Sequence, residues 1–222
     1  MNLCLFDLDH TLLPLDSDHE WGEFMVRVGW ADAEAFRARN DEFYRQYQEG
    51  VLDLPAYIDF ATGVWRHRPA HELNEIHQRF MREVIEPALK PQAMNLVRQH
   101  QEQGDLVAVV TATNEFVTTP IAEAFGVHHL LAVKLTRGQH GQVTGAIDGV
   151  PTFKEGKITR VEQWLGERSL SLQDFERVSF YSDSMNDLPL LERATDPVAT
   201  NPSPPLEAIA VARGWRILKL FA

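Results

Sequence analysis

Apolar residues run almost unbroken through three short stretches of the chain, LCLF from residue 3, LVAVV from residue 106 and VSFY from residue 178, and polar side chains follow each of them. Short, β-rich, consecutively apolar runs are what parallel strands buried on both faces require. The pattern between the first two runs is different. Residues 14–88 contain no convincing strand and predict helices at 18–29, 31–49, 54–65 and 70–84, with stop signals at Gly29, Gly50, Pro55, Pro69 and Pro87. Phe36, Phe43 and Tyr47 recur at helical spacing, as do Leu73, Ile76, Phe80 and Val84, and both stripes are assigned to the core. Beyond Pro87 the pattern alternates. It predicts a helix at 92–103, a strand from 106, a helix at 115–125, a strand at 130–135, a helix at 154–165, a strand from 178 and short strands at 197–200 and 215–220. Residues 143–147 are expected to form a hairpin with the strand at 130–135, across a turn between Gly138 and Gly141. Such alternation implies an α/β fold, a parallel sheet with helices on both faces. The helical block enters directly after the first strand, so its two ends should flank the loop leaving that strand and set a lid over it.

Bulk properties narrow the picture. A chain of 222 residues suits a core domain plus a smaller lobe, and a hydrophobic content of 44% is ample for a packed core. The net charge of -11 disfavours nucleic acid as a partner, because nucleic-acid binders carry a basic patch. The single cysteine, Cys4, excludes an intramolecular disulfide and reads as a small buried hydrophobe in the first strand. The N-terminus lacks the basic start and apolar stretch of a signal peptide, and no run reaches the length of a membrane span. A cytoplasmic protein with no membrane partner is expected, with a monomer as the simplest assembly.

The polar residues at the run ends carry the chemistry. The first run leads into Asp7, Asp9 and Thr11 at spacing two, and neighbouring carboxylates need something to offset their repulsion, most often a divalent cation. The last run leads into Asp183, with Asp187 in the same loop, which would supply further acids if the two strands are sheet neighbours. The middle run ends in the hydroxyls of Thr111 and Thr113, and Lys154 and Lys157 lie in KEGK at a predicted helix start. Acid pair, hydroxyl, lysine, acid pair, in that order along essentially the whole chain, resembles the motif set of the haloacid dehalogenase-like phosphatases. The helical block between the first two motifs resembles the phosphoserine-phosphatase-like branch, subfamily IB, which includes histidinol-phosphatase-type members. Ser182 departs from that pattern, since many relatives carry glycine before the metal-binding aspartate.

The resemblance implies a Rossmann-like three-layer core with a parallel sheet, built from residues 1–14 and 89–222, plus an all-helical cap at 15–88. It implies a Mg2+-dependent phosphomonoester hydrolase working through an aspartyl-phosphate. Asp7 is then the nucleophile and Asp9 the general acid and base. Thr111 donates to a phosphate oxygen, and Lys157 offsets the charge of nucleophile and phosphoryl group, with Lys154 as the runner-up. Asp7, Asp183 and the main-chain carbonyl of Asp9 would hold Mg2+, while Asp187 acts either on the metal or by orienting a water or the lysine. Asn186 stands where relatives contact substrate and is equally readable as a turn residue, and Thr11 either meets substrate or holds the loop.

The resemblance implies a small phosphomonoester as the substrate. The cap entrance, PLDSDHEWGEF from residue 14, carries Asp16, Asp18, Glu20 and Glu23 with no lysine or arginine. Asp16 lies nine residues beyond Asp7, where relatives place an acid that meets substrate, so an amine-bearing ester is expected. Helix capping by Asp16, Ser17 or Asp18 explains the same residues equally well. Phosphoserine would want an arginine for its carboxylate, to be chosen among Arg27, Arg37, Arg39, Arg45, Arg66 and Arg68. Histidinol phosphate would want acids and an aromatic slot such as Trp21, Phe24, Trp30 and Phe43, and it is the favoured expectation, with phosphoserine next. A phosphotransferase passing the group to an alcohol, or a metabolite-binding protein on the same scaffold, is the alternative class, although the presence of both Asp7 and Asp9 argues against a mere binder. His71 and His77 are six apart and do not share a helix face, which excludes a zinc-protease helix. His128 and His129 read as packing or surface, and His10 either tunes the acid pair or only shapes its loop.

Overall fold

The computed structural model describes residues 1–221. The chain opens with β1 (Leu3–Phe6), then runs through α1 (Ser17–Arg27), α2 (Ala33–Gln48), α3 (Leu54–Gly63) and α4 (Ala70–Phe80). A π-helical turn at Met81–Ile85 and the short α5 (Glu86–Ala88) extend α4 past the predicted end. There follow α6 (Pro91–Glu102), β2 (Leu106–Asn114), α7 (Glu115–Ala124), β3 (Leu130–Val133), β4 (Leu135–Arg137), β5 (Val143–Ile147) and α8 (Glu155–Gly166). The last part contains β6 (Val178–Ser182), α9 (Leu188–Leu191), β7 (Asp196–Thr200), α10 (Pro204–Arg213) and β8 (Arg216–Leu218).

Six strands form one sheet in the order β3-β2-β1-β6-β7-β8, and every pair in it is parallel. β1 is therefore central, between β2 and β6. Its side chains alternate between two apolar clusters, as a strand buried on both faces must. Cys4 and Phe6 join one cluster, and Leu3 and Leu5 the other. The Phe6 side is continuous with the helical block through Trp21, Phe24, Ile58, Trp65 and Phe80. The Leu5 side packs on α8 and α10 through Val161, Leu165, Leu206 and Ala210. The helices of the block begin where short acids can cap them: Asp16, Asp32 and Asp53 each accept backbone N–H bonds from the first turn that follows.

Several elements depart from the sequence expectation, the short α9 among them. The strand expected at 130–135 is two strands, because the chain leaves the sheet at Lys134 and β4 turns to pair antiparallel with β5. The hairpin is present, and β5 packs against α3. α10 was not expected at all: Pro204 and Pro205 look like breakers in sequence, yet they sit in the first turn, where a missing N–H costs nothing. The helix around residue 84 continues because Pro87 likewise falls at the start of α5. Among the described residues no helix is long and apolar enough to cross a membrane.

Candidate active site

Parallel strands aim their C-terminal ends at one edge, so β1, β2 and β6 deliver Asp7, Thr111 and Asp183 to a common floor. The Asp7 amide donates to the Tyr181 carbonyl at 2.9 Å, which extends the β1–β6 ladder to the carboxylate itself. Lys157, on the first turn of α8, is almost wholly buried and places Nζ 2.8 Å from Asp7 Oδ1 and 2.7 Å from the Asp187 carboxylate. Gly156 makes this approach possible: a Cβ there would lie 2.0 Å from the Pro151 carbonyl oxygen. Ser182 Oγ donates to Asp187 Oδ2 at 2.7 Å and accepts from the Ser184 amide at 3.1 Å, so the residue that departs from the family pattern has a use in holding Asp187. Thr11 Oγ1 donates to Asp183 Oδ1 at 3.1 Å and accepts from the Asp183 amide at 3.0 Å.

The charges on this floor are unbalanced. Burial raises Asp7 above the ordinary carboxylate range, to about 7, with Lys157 pulling the other way and Asp187 adding to the rise. Burial and the neighbouring Asp7 and Asp187 charges also push Asp183 well up. Burial alone would lower the Lys157 ammonium, but Asp187 and Asp7 overcome this and hold it above the usual lysine range. Asp9 lies higher in the site. The Ser17 amide donates to its Oδ1 and the Thr113 hydroxyl to its Oδ2, both at 2.8 Å. Burial, then the Asp16 charge, raises Asp9 to about 7 against those hydrogen bonds.

Over the floor lies a cavity whose wall comes from α1, α2 and α3. Asp7, Asp9, Thr111 and Thr113 line one end; Asp16, Asp18, His19, Asn40, Phe43, Tyr44, Tyr47, Leu52, Leu54 and Tyr57 line the rest. No lysine or arginine is among these lining residues. Asp16 Oδ1 accepts from the Asp18 amide at 3.1 Å and the His19 amide at 2.8 Å, so it caps α1 while facing the cavity. Asp18 is buried, with Asn114 Nδ2 3.3 Å from its Oδ1 and the Tyr57 hydroxyl within hydrogen-bonding reach. Burial, then the Asp16 charge, pushes it up to about 8. Gly22 leaves room for Asn40, whose Nδ2 would be 2.7 Å from a Cβ at that position.

The structure thus brings Asp7, Asp9, Thr111, Lys157, Asp183 and Asp187 together, with Asp16 at the cavity wall. Thr11 and Asn186 do not line the cavity. Thr11 holds the Asp183 loop, and Asn186 Nδ2 donates to the Tyr47 carbonyl at 2.9 Å, tying that loop to the end of α2. Lys154 makes a similar tie to the Gly50 carbonyl at 2.6 Å. His10 Nε2 is 3.1 Å from the Tyr44 hydroxyl.

The expected aromatic slot needs correction. Trp21 and Phe24 belong to the apolar core, Trp30 lies under Arg68, and of the residues named only Phe43 lines the cavity. The stripe assigned to the core supplies the slot instead, since Phe43 and Tyr47 both face the cavity. None of the arginines named lines the cavity: Arg37 pairs with Glu23 and Arg45 with Glu42 and Glu49, while the Arg39 guanidinium lies over the ring of the cavity-lining Phe43, 4.1 Å from its centroid. His77 packs against Trp21 and Phe116, and His129 against Trp164. Sequence reasoning did not single out Tyr57, Tyr44, Asn40 or the Thr113–Asp9 bond. A helix residue carries no sign of which face will meet a cavity, although the polar Asn40 beside a glycine-bearing helix was a faint one.

The donor set fits Mg2+. Among the described residues no three acidic, histidine or cysteine side chains converge as a ready-made cage. Mg2+ asks for less, one or two carboxylates and several retained waters. Asp7 and Asp183 share a buried floor whose negative charge Lys157 only partly offsets, and that is the environment a divalent cation relieves.

This chain belongs to the haloacid dehalogenase-like hydrolase family, whose pattern it matches over residues 4–192. It is a phosphatase of that family. It is 44% identical over 217 residues to a histidinol-phosphatase of Neisseria meningitidis, covering 98% of each chain. A crystal structure of a Bordetella pertussis protein described as of unknown function superposes with a TM-score of 0.93 at 51% identity, over 99% of each chain. A substrate-bound phosphoserine phosphatase shares the fold with a TM-score of 0.67 at 18% identity, covering 97% of this chain and 91% of that one.

Proposed function

We propose that this phosphatase is a Mg2+-dependent phosphomonoesterase that works through an aspartyl-phosphate on a small amine-bearing metabolite, with histidinol phosphate as the favoured substrate. The observation that carries the reading is the composition of one cavity: nucleophile, acid and hydroxyl at one end, and acids with aromatic rings but no lysine or arginine at the other. Phosphoserine would bring a carboxylate to a wall lined by acids and rings without a lysine or arginine, whereas histidinol phosphate brings basic nitrogen and a flat ring. The 44% identity to a protein named histidinol-phosphatase points the same way.

The residues have separable tasks. An Asp7 carboxylate oxygen attacks phosphorus in line with the ester oxygen; the P–O ester bond breaks, and Asp9 gives its proton to the leaving alkoxide. Asp9 then takes a proton from water as that water attacks phosphorus, releasing inorganic phosphate and restoring Asp7. The Thr111 hydroxyl donates to a phosphoryl oxygen, and Lys157 keeps Asp7 oriented and its charge offset, itself held by Asp187 and, through Asp187, by Ser182. Asp7, Asp183 and the main-chain carbonyl of Asp9 would hold Mg2+, which supplies neutralisation of phosphoryl charge when bound. The helical segment 15–88 serves as the cap that closes over these groups and excludes water.

Steady-state rates on histidinol phosphate, phosphoserine and p-nitrophenyl phosphate, with Mg2+ and with a chelator, test this reading. The expected order of kcat/KM puts histidinol phosphate first, with chelation abolishing all three activities. A preference for phosphoserine would overturn the substrate, and full activity under chelation would overturn the metal.

A further inference from the structure

Two acids face the cavity wall, and their surroundings differ. Asp16 is held by its own helix: one carboxylate oxygen accepts both the Asp18 and the His19 amides at the start of α1. Asp18 is met from a distance: Asn114, at the end of β2, places Nδ2 3.3 Å from its Oδ1, and Tyr57 of α3 lines the same cavity. It is 6% exposed, and none of its partners carries a positive charge. The nearest histidine along the chain, His19, directs Nε2 to Asp41 at 3.0 Å. A buried carboxylate with only neutral partners lacks its natural complement, because desolvation of the charge is not repaid. The Arg39 guanidinium already lies over the Phe43 ring, 4.1 Å from its centroid, but Tyr44, Tyr47 and Tyr57 also line the cavity beside Asp18, and aromatic rings with hydroxyls favour a flat, cationic group over an aliphatic ammonium alone.

Resting on the reading of this site as a phosphatase for amine-bearing esters, we propose that Asp18, with Tyr57 beside it, is the specificity-determining residue that accepts a hydrogen bond from a protonated nitrogen heterocycle at the end of the substrate remote from phosphate. Asp16 is left to cap α1 and to face the aliphatic ammonium. The far end of the cavity thereby selects a substrate with two basic nitrogens rather than one. The free protein carries the cost of this arrangement, since burial and the Asp16 charge hold the empty Asp18 carboxyl up to about 8. A bound cation at that point relieves it.

The test compares kcat/KM of wild type and Asp18→Asn on histidinol phosphate, which has amine and ring, and on phosphoethanolamine, which has the amine only. The ratio between the two substrates is expected to fall by about 10- to 100-fold in the variant, through KM more than kcat, as for loss of one charge-assisted hydrogen bond. A ratio unchanged from wild type, with both substrates falling together or neither falling, would overturn the assignment. Tyr57→Phe keeps the carboxylate and removes its hydroxyl neighbour, and should move the same ratio in the same direction by a smaller factor; it decides the matter if the first variant does not fold. Failure of the parent reading looks different: wild type would then prefer neither amine-bearing ester over p-nitrophenyl phosphate.

Discussion

The floor and the wall of the cavity both concentrate acids, and they handle the charge in opposite ways. On the floor, Lys157 is locked between Asp7 and Asp187 by bonds of 2.8 and 2.7 Å. On the wall, Asp18 meets only an amide and a phenol, and Asp16 only backbone N–H groups. A counter-charge built into the protein serves a reaction centre, where the same phosphoryl charge must be met for every substrate. A counter-charge left out serves recognition, because the substrate that brings it gains what the protein lacks. The difference predicts that substitutions on floor and wall act on stability with opposite signs.

The largest effect belongs to Asp7, the proposed nucleophile. Asp7→Asn should lower turnover of any phosphomonoester by about 10⁴-fold or more while the protein stays folded, measured as phosphate release at saturating Mg2+. A variant that keeps most of its activity would end the covalent mechanism. Next comes the floor's cation. Lys157→Met, measured by urea unfolding without divalent ions, should cost about 3–5 kcal/mol, since it strands buried carboxylates that had a partner. A loss below about 1 kcal/mol, the scale of an exposed ion pair, would mean that the floor's charge is not held by Lys157.

The smallest effect has the opposite sign. The Asp18 carboxyl is held at about 8 in the folded protein against an ordinary value of 3.8, so the unfolded chain loses its proton first as pH rises. Its contribution to stability is therefore present in acid and is lost progressively between those two values. Asp18→Asn removes that loss. In substrate-free protein the Tm of the variant relative to wild type should climb with pH, reaching an advantage of about 3 °C or more in alkaline buffer and none in acid. A Tm difference independent of pH would show that the wall carboxylate is not waiting for a cation.

Much of the fold was legible in the chain. The three apolar runs became β1, β2 and β6, adjacent in one parallel sheet, because burial on both faces leaves a sequence little choice of pattern. The hairpin at 143–147 and the helices of residues 17–63 followed from turn glycines, prolines and the helical spacing of apolar residues, signals that act within a few residues. The break at Lys134 and the existence of α10 were not legible. The first depends on where a strand stops finding a sheet partner, and the second on prolines whose position within a turn decides whether they break or begin it.

The same division runs through the site. By itself the sequence determined which groups stand at strand ends, Asp7, Asp9, Thr111 and Asp183, since a strand's C-terminus and its loop are local facts. It ranked Lys157 above Lys154 only through the family resemblance, and the folded chain gives the physical difference between them. Lys157 meets an acid 150 residues away, while Lys154 reaches the Gly50 carbonyl just beyond α2. Which aromatic residues face the cavity, and that no arginine or lysine lines it, were likewise decided in three dimensions. An amphipathic helix shows an apolar face to its own sequence, but whether that face meets a packed core or a cavity depends on what the rest of the molecule places opposite it.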